Sequence, residues 1–313
     1  MADQPAPEVR AILDEMDRQG VLPFHALSVP GARRYLEELF ASAADPRPVG
    51  RVRDLSAPGP DGGELPVRVY EPESDGEEPR PALVWFHGGG FVLGNLDSVD
   101  PACRALCAET GRVVVSANYR HAPEHPFPAA PEDCYAGTRW TVEHAGTLGV
   151  DPDRVAVGGT SAGGNLAAVV ALLARDRGGP EIDRQVLVYP VTNRVRQFGS
   201  YEENAEGYFL TRTDMEWFHD HYLERAVDAR NPYAYPLEAR DLSGLPSASV
   251  VTAGFDPLRD EGIAYAERLE ADGVEVTHHH YPEMIHGFFS MLADPEIERA
   301  WDALGAVGAD LSG

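Results

Sequence analysis

The chain has 313 residues, of which 43% are hydrophobic and 25% are charged, and this is sufficient for one large globular domain. Its formal net charge is −25, and all 26 basic residues are arginine, which excludes nucleic acid and anionic membranes as favourable partners. No apolar run approaches the roughly 20 residues that a membrane-spanning helix needs, and the acidic first residues lack the pattern of a signal peptide.

The first 45 residues predict helices rather than strands. The segments EVRAILDEMDRQG and GARRYLEELFASAA both carry apolar residues at three- and four-residue spacing, which is typical of amphipathic helices. The stretch VRDLSAPGPDGGELPVRVYEPE that follows predicts two strands joined by a Gly/Pro turn. We therefore predict N-terminal helices over residues 1–45 and a main α/β domain over residues 46–313.

From residue 82 onward, short apolar runs alternate with helix-length segments. The runs are ALVWFHGG, RVVVSANY, RVAVGG, RQVLVYP, ASVVTAGFD and VEVTHHHYP. Such alternation predicts a parallel sheet with helices on both faces. Residues 192–242 interrupt the rhythm, and we predict inserted helices over about 192–235. Because an insertion there lies over the carboxyl ends of the strands, where open α/β sheets bind ligands, we interpret it and residues 1–45 as two halves of a helical cap.

A serine lies between glycines in the stretch GTSAGGN, at the point where a strand-like run ends and a helix-like run begins. Residues 159–163 match the pattern G-x-S-x-G, with Ser161 at its centre. In a sharp strand-to-helix turn, glycines keep Cβ atoms out of crowded positions, so the serine hydroxyl stands clear of the sheet. A plain tight connection is the alternative, but the flanking strand and apolar helix favour a nucleophile.

The segment VWFHGGGFVLG supplies donors for the negative charge that forms on a carbonyl oxygen when a serine attacks it. Three consecutive glycines after a strand let backbone N–H groups point into one concavity. We predict Gly89 and Gly90 as donors, together with the N–H of Ala162. His87 precedes these donors and lies well before the serine in chain order, so we interpret it as a structural support. A plain glycine turn is the alternative for this loop.

The remaining two members of a serine-based site are predicted near the end of the chain. Asp256 directly follows a strand-like run and is the predicted acid, whereas Asp260 and Glu261 compete from about a helical turn further along. His286 lies in a loop after the last strand and is the predicted base. Residues 278–280 are three histidines, but neighbours in a strand face opposite sides, so we predict no metal site there.

The order Ser161, Asp256, His286 is that of the α/β-hydrolases. The chain resembles the hormone-sensitive-lipase-like (family IV) carboxylesterases in five stretches that follow the family order: HGGGFVLG, NYRHAPEHPFPAAPEDCY, GTSAGGNLA, DPLRDEG and HGF. The resemblance implies an α/β-hydrolase fold with a mostly parallel eight-stranded sheet, helices on both faces and a helical cap. It also implies ester hydrolysis by these three residues as a catalytic triad, with an oxyanion hole formed by the donors predicted above.

Two positions depart from the family pattern. Thr160 stands where many members have aspartate before the serine, so the hydrogen bonds around the serine differ while catalysis is not in question. His121 stands where leucine is usual, and we expect it to be a packing position.

These features predict a serine carboxylesterase that hydrolyses short-to-medium acyl esters without a metal or cofactor. Four aromatic residues of the insertion are candidate substrate contacts, with simple packing as the alternative for at least two: Tyr208, Phe209, Trp217 and Phe218. An amidase or peptidase with the same triad stays open, whereas a non-catalytic small-molecule receptor on this fold is expected to lack the base that HGF provides. Three cysteines indicate a reducing compartment, so we expect a cytoplasmic protein, and formation of a homodimer is left open.

Overall fold

One sheet of eight strands organises the fold, and the computed structural model describes residues 2–40, 46–73, 79–292 and 297–312. The strands are β1 (Arg51–Pro58), β2 (Glu64–Glu71), β3 (Arg80–Phe86), β4 (Val113–Ala117), β5 (Val150–Thr160), β6 (Arg184–Val188), β7 (Ser247–Phe255) and β8 (Val276–Ile285). They lie in the order β1-β2-β4-β3-β5-β6-β7-β8. The pairs β1–β2 and β2–β4 are antiparallel and the others parallel, which confirms the predicted sheet.

Helices cover both faces of this sheet. The α-helices of the described ranges are α1 (Pro7–Gln19), α2 (Val29–Phe40), α3 (Asp100–Thr110), α4 (Ala129–Glu143), α5 (Ala145–Leu148), α6 (Ala162–Arg177), α7 (Ser200–Glu203), α8 (Arg212–Tyr222), α9 (Arg259–Ala271) and α10 (Glu298–Ser312). Short 3-10 helices lie at Phe24–Ala26, Ala226–Arg230, Pro236–Glu238 and Phe288–Ser290. Helices α4, α6 and α9 share one apolar core, and α3 and α10 share the other. None of the helices in the described ranges is both long and apolar enough to cross a membrane.

Alternation along the strands explains why both faces are apolar. In β3, Ala82, Val84 and Phe86 belong to one core, whereas Leu83 and Trp85 belong to the other. Successive side chains of a strand point to opposite faces, so a continuous apolar run fits a strand that is covered on both sides. The apolar runs predicted as strands from residue 82 onward therefore form the parallel part of the sheet.

The N-terminal helices and the insertion between β6 and β7 contact each other. Oδ1 of Asp214 in α8 accepts the backbone N–H of His25 at 2.8 Å, and Nδ1 of the same histidine is also 2.8 Å from it. The ring of Phe24 packs edge-on against Phe209, with centroids 5.8 Å apart. Residues 1 and 41–45 of the predicted N-terminal part lie outside the described residues, and the division into cap and main domain stays a prediction.

Candidate active site

Ser161 occupies the sharp turn between β5 and α6. Its backbone angles, φ 56° and ψ −117°, lie in a region that L-residues rarely adopt. Its N–H donates to the carbonyl of Val188 at 2.8 Å, and its carbonyl accepts the N–H of Asn165 at 3.0 Å. A Cβ on Gly163 would lie 2.0 Å from the carbonyl oxygen of Phe86, so glycine is required there. The structure therefore contains the strand–turn–helix that G-x-S-x-G predicts.

Ser161, His286 and Asp256 form one hydrogen-bonded chain. Nε2 of His286 is 3.0 Å from Oγ of Ser161, and Nδ1 is 2.8 Å from Oδ2 of Asp256. Because an ionised carboxylate can only accept, Nδ1 carries the proton and Nε2 presents a lone pair to the serine hydroxyl. The three residues follow β5, β7 and β8, and the carboxyl ends of these strands bring them together at one edge of the sheet.

Residues of the insertion hold the loop that carries Asp256. The carboxyl group is fully buried, and its Oδ1 accepts the N–H of Leu258 at 2.8 Å. Nδ2 of Asn204 donates to the carbonyl oxygen of Asp256 at 3.0 Å, and Oγ of Ser200 donates to that of Pro257 at 2.7 Å. We did not predict Asn204 and Ser200, because they lie in a segment that carries no motif and more than fifty residues before this loop.

The two competing acids on α9 are engaged elsewhere. Oδ2 of Asp260 accepts the backbone N–H of Ser200 at 2.9 Å. Glu261 is fully buried, and its Oε1 accepts the N–H of Thr192 at 2.6 Å. Burial raises the pKa of Glu261 to about 8, so this carboxyl group is largely protonated near neutral pH. In the part of the chain that the structure describes, neither side chain is hydrogen-bonded to His286, which leaves both outside the hydrogen-bonded chain.

The glycine loop after β3 borders the same cavity as Ser161. Gly89 and Gly90 have φ of 115° and 60°, and a Cβ on Gly90 would lie 2.2 Å from Cδ1 of Phe218. Among the described residues, the N–H groups of Gly89, Gly90 and Ala162 have no hydrogen-bond acceptor. They are therefore available to a ligand oxygen, as an oxyanion hole requires, and their assignment as its donors stays a prediction.

Two histidines support this loop, His87, which is buried, and His121, which is half-buried. The ring of His87 stacks on Tyr119 with centroids 4.3 Å apart, and its Nδ1 is 2.7 Å from the carbonyl oxygen of Gly88. Burial lowers the pKa of His87 to about 4, so the ring is neutral near neutral pH. His121, which stands in the usual leucine position, packs edge-on against His87 at 5.3 Å. Both rings therefore serve packing, and across the described ranges neither is hydrogen-bonded to Ser161.

A cavity of about 100 Å³ lies over Ser161. Its apolar wall combines the N-terminal helices, the insertion and the sheet, with contributions from Phe24, Leu36, Val191, Leu210, Met215 and Leu258. Of the four aromatic residues predicted as substrate contacts, Phe209 and Phe218 also line it. Tyr208 packs on Phe255 at 5.0 Å, and Trp217 packs on His221 at 4.3 Å. The structure thus places Tyr208 and Trp217 in the packing of the insertion rather than in this wall.

The three consecutive histidines of β8 alternate between two faces. Nε2 of His278 and Nδ1 of His280 lie 2.8 and 2.9 Å from Oγ1 of Thr252, whereas Nε2 of His279 lies 2.8 Å from Oδ2 of Asp310. This alternation is what a strand imposes. Over the described residues, we find no cluster of three or more histidine, cysteine or acidic side chains that could hold a metal ion.

Several known proteins are similar to this chain in sequence and in fold. The family model for the alpha/beta hydrolase fold matches residues 83–290. The carboxylic ester hydrolase LipN of Mycobacterium tuberculosis is 45% identical over 269 residues, which cover 84% of this chain and 71% of LipN. An ethyl acetate hydrolase of Pseudomonas putida is 39% identical over 87% of this chain and 86% of its own. The solved structure of a hyperthermophilic esterase from Pyrobaculum calidifontis has a TM-score of 0.91 and 41% identity, covering 99% of this chain and 98% of that one.

Proposed function

Because the chain belongs to the hormone-sensitive-lipase-like family of the α/β-hydrolases and is a carboxylic ester hydrolase, we propose that Ser161, His286 and Asp256 form its catalytic triad. The observation that carries the proposal is the hydrogen-bonded chain from Oγ of the serine through both ring nitrogens of the histidine to the buried carboxylate. These three hydrogen-bonded side chains lie beneath an apolar cavity that both halves of the proposed cap close.

The roles in the reaction follow from the positions of the protons. Nε2 of His286 takes the proton of Ser161 while Oγ attacks the carbonyl carbon of the ester. Asp256 keeps the proton on Nδ1 and stabilises the imidazolium that forms. His286 then gives its proton to the leaving alcohol, which departs as the acyl-enzyme forms. Water, deprotonated by the same nitrogen, attacks the acyl carbon, and His286 returns this proton to Oγ of Ser161 as the carboxylic acid leaves.

Backbone N–H groups stabilise the negative oxygen of each tetrahedral intermediate. We propose Gly89, Gly90 and Ala162 as the donors, because their N–H groups have no acceptor within the described part of the protein and Gly89 and Gly90 line the cavity beside Ser161. Donors that are already oriented before the reaction stabilise the transition state without a cost of reorganisation. Removal of one such donor typically lowers kcat by about 100- to 1,000-fold.

Activity should be lost in acid, because a histidine base accepts the proton of the serine only as neutral imidazole. We expect kcat/KM for p-nitrophenyl butanoate to be much lower at about pH 4 than at neutral pH. Circular dichroism at each pH separates this effect from acid unfolding. A rate that stays constant down to about pH 4, with the fold intact, is incompatible with a histidine base.

The preferred substrates are short-to-medium acyl esters, from acetyl to hexanoyl, hydrolysed in solution. Phe24 closes the cavity from the N-terminal side, and Phe209 and Phe218 close it from the insertion. Each added methylene contributes about 0.8 kcal/mol of binding only while it finds buried apolar surface, so the gain stops where the cavity ends. A formal charge of −25 also disfavours adsorption to anionic lipid, so long triglycerides are poorly presented.

A chain-length series tests this preference. We expect kcat/KM for p-nitrophenyl esters to peak between acetate and hexanoate and to fall steeply toward palmitate. With emulsified triolein, we expect no increase in rate when the substrate exceeds its solubility. A maximum at palmitate, or a jump in rate at the oil interface, would show that the cavity wall opens for long chains and that the enzyme is a lipase.

The cellular setting is inferred from the cysteines and the charge. We propose a cytoplasmic location. All three cysteines are buried and unpaired, and thiols persist in this form in a reducing compartment. The proposed partner is a small-molecule ester, and the strongly negative charge argues against nucleic acid as a partner. Formation of a homodimer stays open.

A further inference from the structure

Several polar side chains of the cavity wall belong neither to the triad nor to the glycine loop, and one of them is a histidine. His219 of α8 is buried and lines the cavity beside Met215 and Phe218, which are apolar. Nδ1 of its ring lies 2.6 Å from the hydroxyl oxygen of Tyr235. A buried imidazole needs partners for both ring nitrogens, because an unpaired buried polar atom is costly.

The partner of Nδ1 decides which nitrogen carries the proton. Tyr235 is fully buried, and in the described ranges its hydroxyl is within hydrogen-bond distance of His219 alone. The phenolic O–H therefore donates to Nδ1, and the proton of the neutral ring resides on Nε2. Burial lowers the pKa of His219 to about 3, so the ring stays neutral over the working range of a histidine base.

The other ring nitrogen of His219 is free to bind a ligand. Nε2 has no hydrogen-bond partner among the described residues and is not fully buried. The ring to which it belongs lines the cavity over Ser161. His219 thus presents a fixed N–H donor to whatever fills this space.

The position of α8 relates His219 to the proposed oxyanion hole. Helix α8 packs on the glycine loop, as shown by Phe218 against Gly90 and by the stacking of Tyr222 on Phe91 at 3.8 Å. The leaving alcohol, in contrast, must lie beside His286, which protonates it. With the carbonyl oxygen in the proposed oxyanion hole, an acyl chain that extends away from His286 would run along α8.

We propose that His219 determines specificity by donating a hydrogen bond from Nε2 to an oxygen in the acyl chain, so that the preferred substrates are esters of short acids that carry an ether or carbonyl oxygen. The proposal rests on the esterase function above and names its substrate class. A plain alkyl chain displaces water from this N–H and leaves it unpaired, whereas an oxygen at the same position keeps it paired. Sites built around such a donor discriminate against the analogue that lacks the acceptor.

Isosteric ester pairs test the proposal. The pairs are p-nitrophenyl butanoate with methoxyacetate, pentanoate with 3-methoxypropanoate, and hexanoate with 4-methoxybutanoate, in which oxygen replaces one methylene. For each pair we compare the ratio of kcat/KM, ether over alkyl, between wild type and His219→Leu. The higher intrinsic reactivity of the ether esters cancels in this comparison. In at least one pair, we expect the ratio of wild type to be about tenfold larger than that of His219→Leu, which corresponds to the effect of one neutral hydrogen bond.

Two further variants separate the donor from a structural role. His219→Gln keeps an N–H donor and an acceptor for Tyr235, and we expect it to retain most of the wild-type ratio. His221→Leu removes a histidine of the same helix that does not line the cavity, and it should keep the wild-type ratio. Equal ratios in wild type and His219→Leu for all three pairs, with every ester hydrolysed, overturn the proposal and leave the esterase function standing.

A further pair of esters tests the same exchange in the alcohol part of the substrate. Butyl acetate and 2-methoxyethyl acetate place the same exchange in the leaving group, and we expect their ratio to be the same in wild type and in His219→Leu. A difference that arises only in this pair overturns the assignment of His219 to the acyl side. Failure to hydrolyse any of these esters overturns the proposed function and this inference together.

Discussion

We expect Ser161→Ala to lower kcat for p-nitrophenyl butanoate by about a millionfold, the loss known for the serine of comparable triads. Without Oγ, no acyl-enzyme can form, and only binding and the N–H donors remain to accelerate attack by water. The turn itself should persist, because the hydrogen bonds of residue 161 to Val188 and Asn165 use its backbone. The comparison of kcat in purified wild type and variant, with matched circular dichroism spectra, measures the effect.

Contamination by wild-type enzyme sets the floor of this experiment, so the variant is expressed in a strain without background esterase and its residual activity is checked for the wild-type KM. Retention of more than about a hundredth of the wild-type kcat would mean that Ser161 is not the nucleophile.

Asp256→Asn should lower kcat by about 10,000-fold. Both carboxyl oxygens accept hydrogen bonds, one from the N–H of Leu258 and one from Nδ1 of His286. An amide supplies only one acceptor, and its NH₂ group would face the other donor. When that NH₂ faces His286, it favours the tautomer with the proton on Nε2, which cannot accept the proton of Ser161. The loss should therefore fall on kcat, with KM for short esters little changed.

Asp260→Asn is the matched control for this change. It lies four residues away and neutralises the same charge, but its carboxylate pairs with Ser200 and Arg259 rather than with His286. We expect less than a tenfold loss of kcat in this variant. Equal losses in the two variants, or a larger loss for Asp260→Asn, would contradict the assignment of Asp256 as the acid of the triad.

Local sequence patterns were sufficient to predict the sheet and the three residues of the hydrogen-bonded chain. The central strands are short, continuous apolar runs, and the turn of Ser161 requires glycines that leave a visible motif. Asp256 and His286 each follow a strand directly, so their place at the carboxyl edge of the sheet could be predicted from chain order alone. The positions of these residues depend on where each strand ends, and the local sequence specifies the strand ends well.

The walls of the cavity depend instead on contacts between distant segments. Asn204 meets Asp256, and Tyr235 fixes the tautomer of His219, without any motif that marks these pairs. The sequence also could not separate Phe209, which lines the cavity, from its neighbour Tyr208, which packs on Phe255. In an irregular segment, the direction of each side chain is decided by tertiary packing rather than by a period, so such assignments require the structure.

Covalent labelling tests the central claim, that Ser161 is the residue that becomes acylated. Diethyl p-nitrophenyl phosphate reacts with the activated serine of a triad and leaves a stable phosphoryl group on Oγ. Intact-mass spectrometry followed by peptide mapping should show one diethylphosphoryl group per wild-type chain, located on Ser161, together with complete loss of esterase activity. The Ser161→Ala variant should remain unlabelled under the same conditions. A label on another residue that accompanies the loss of activity, or stoichiometric labelling of Ser161→Ala, would mean that Ser161 is not the residue that becomes acylated.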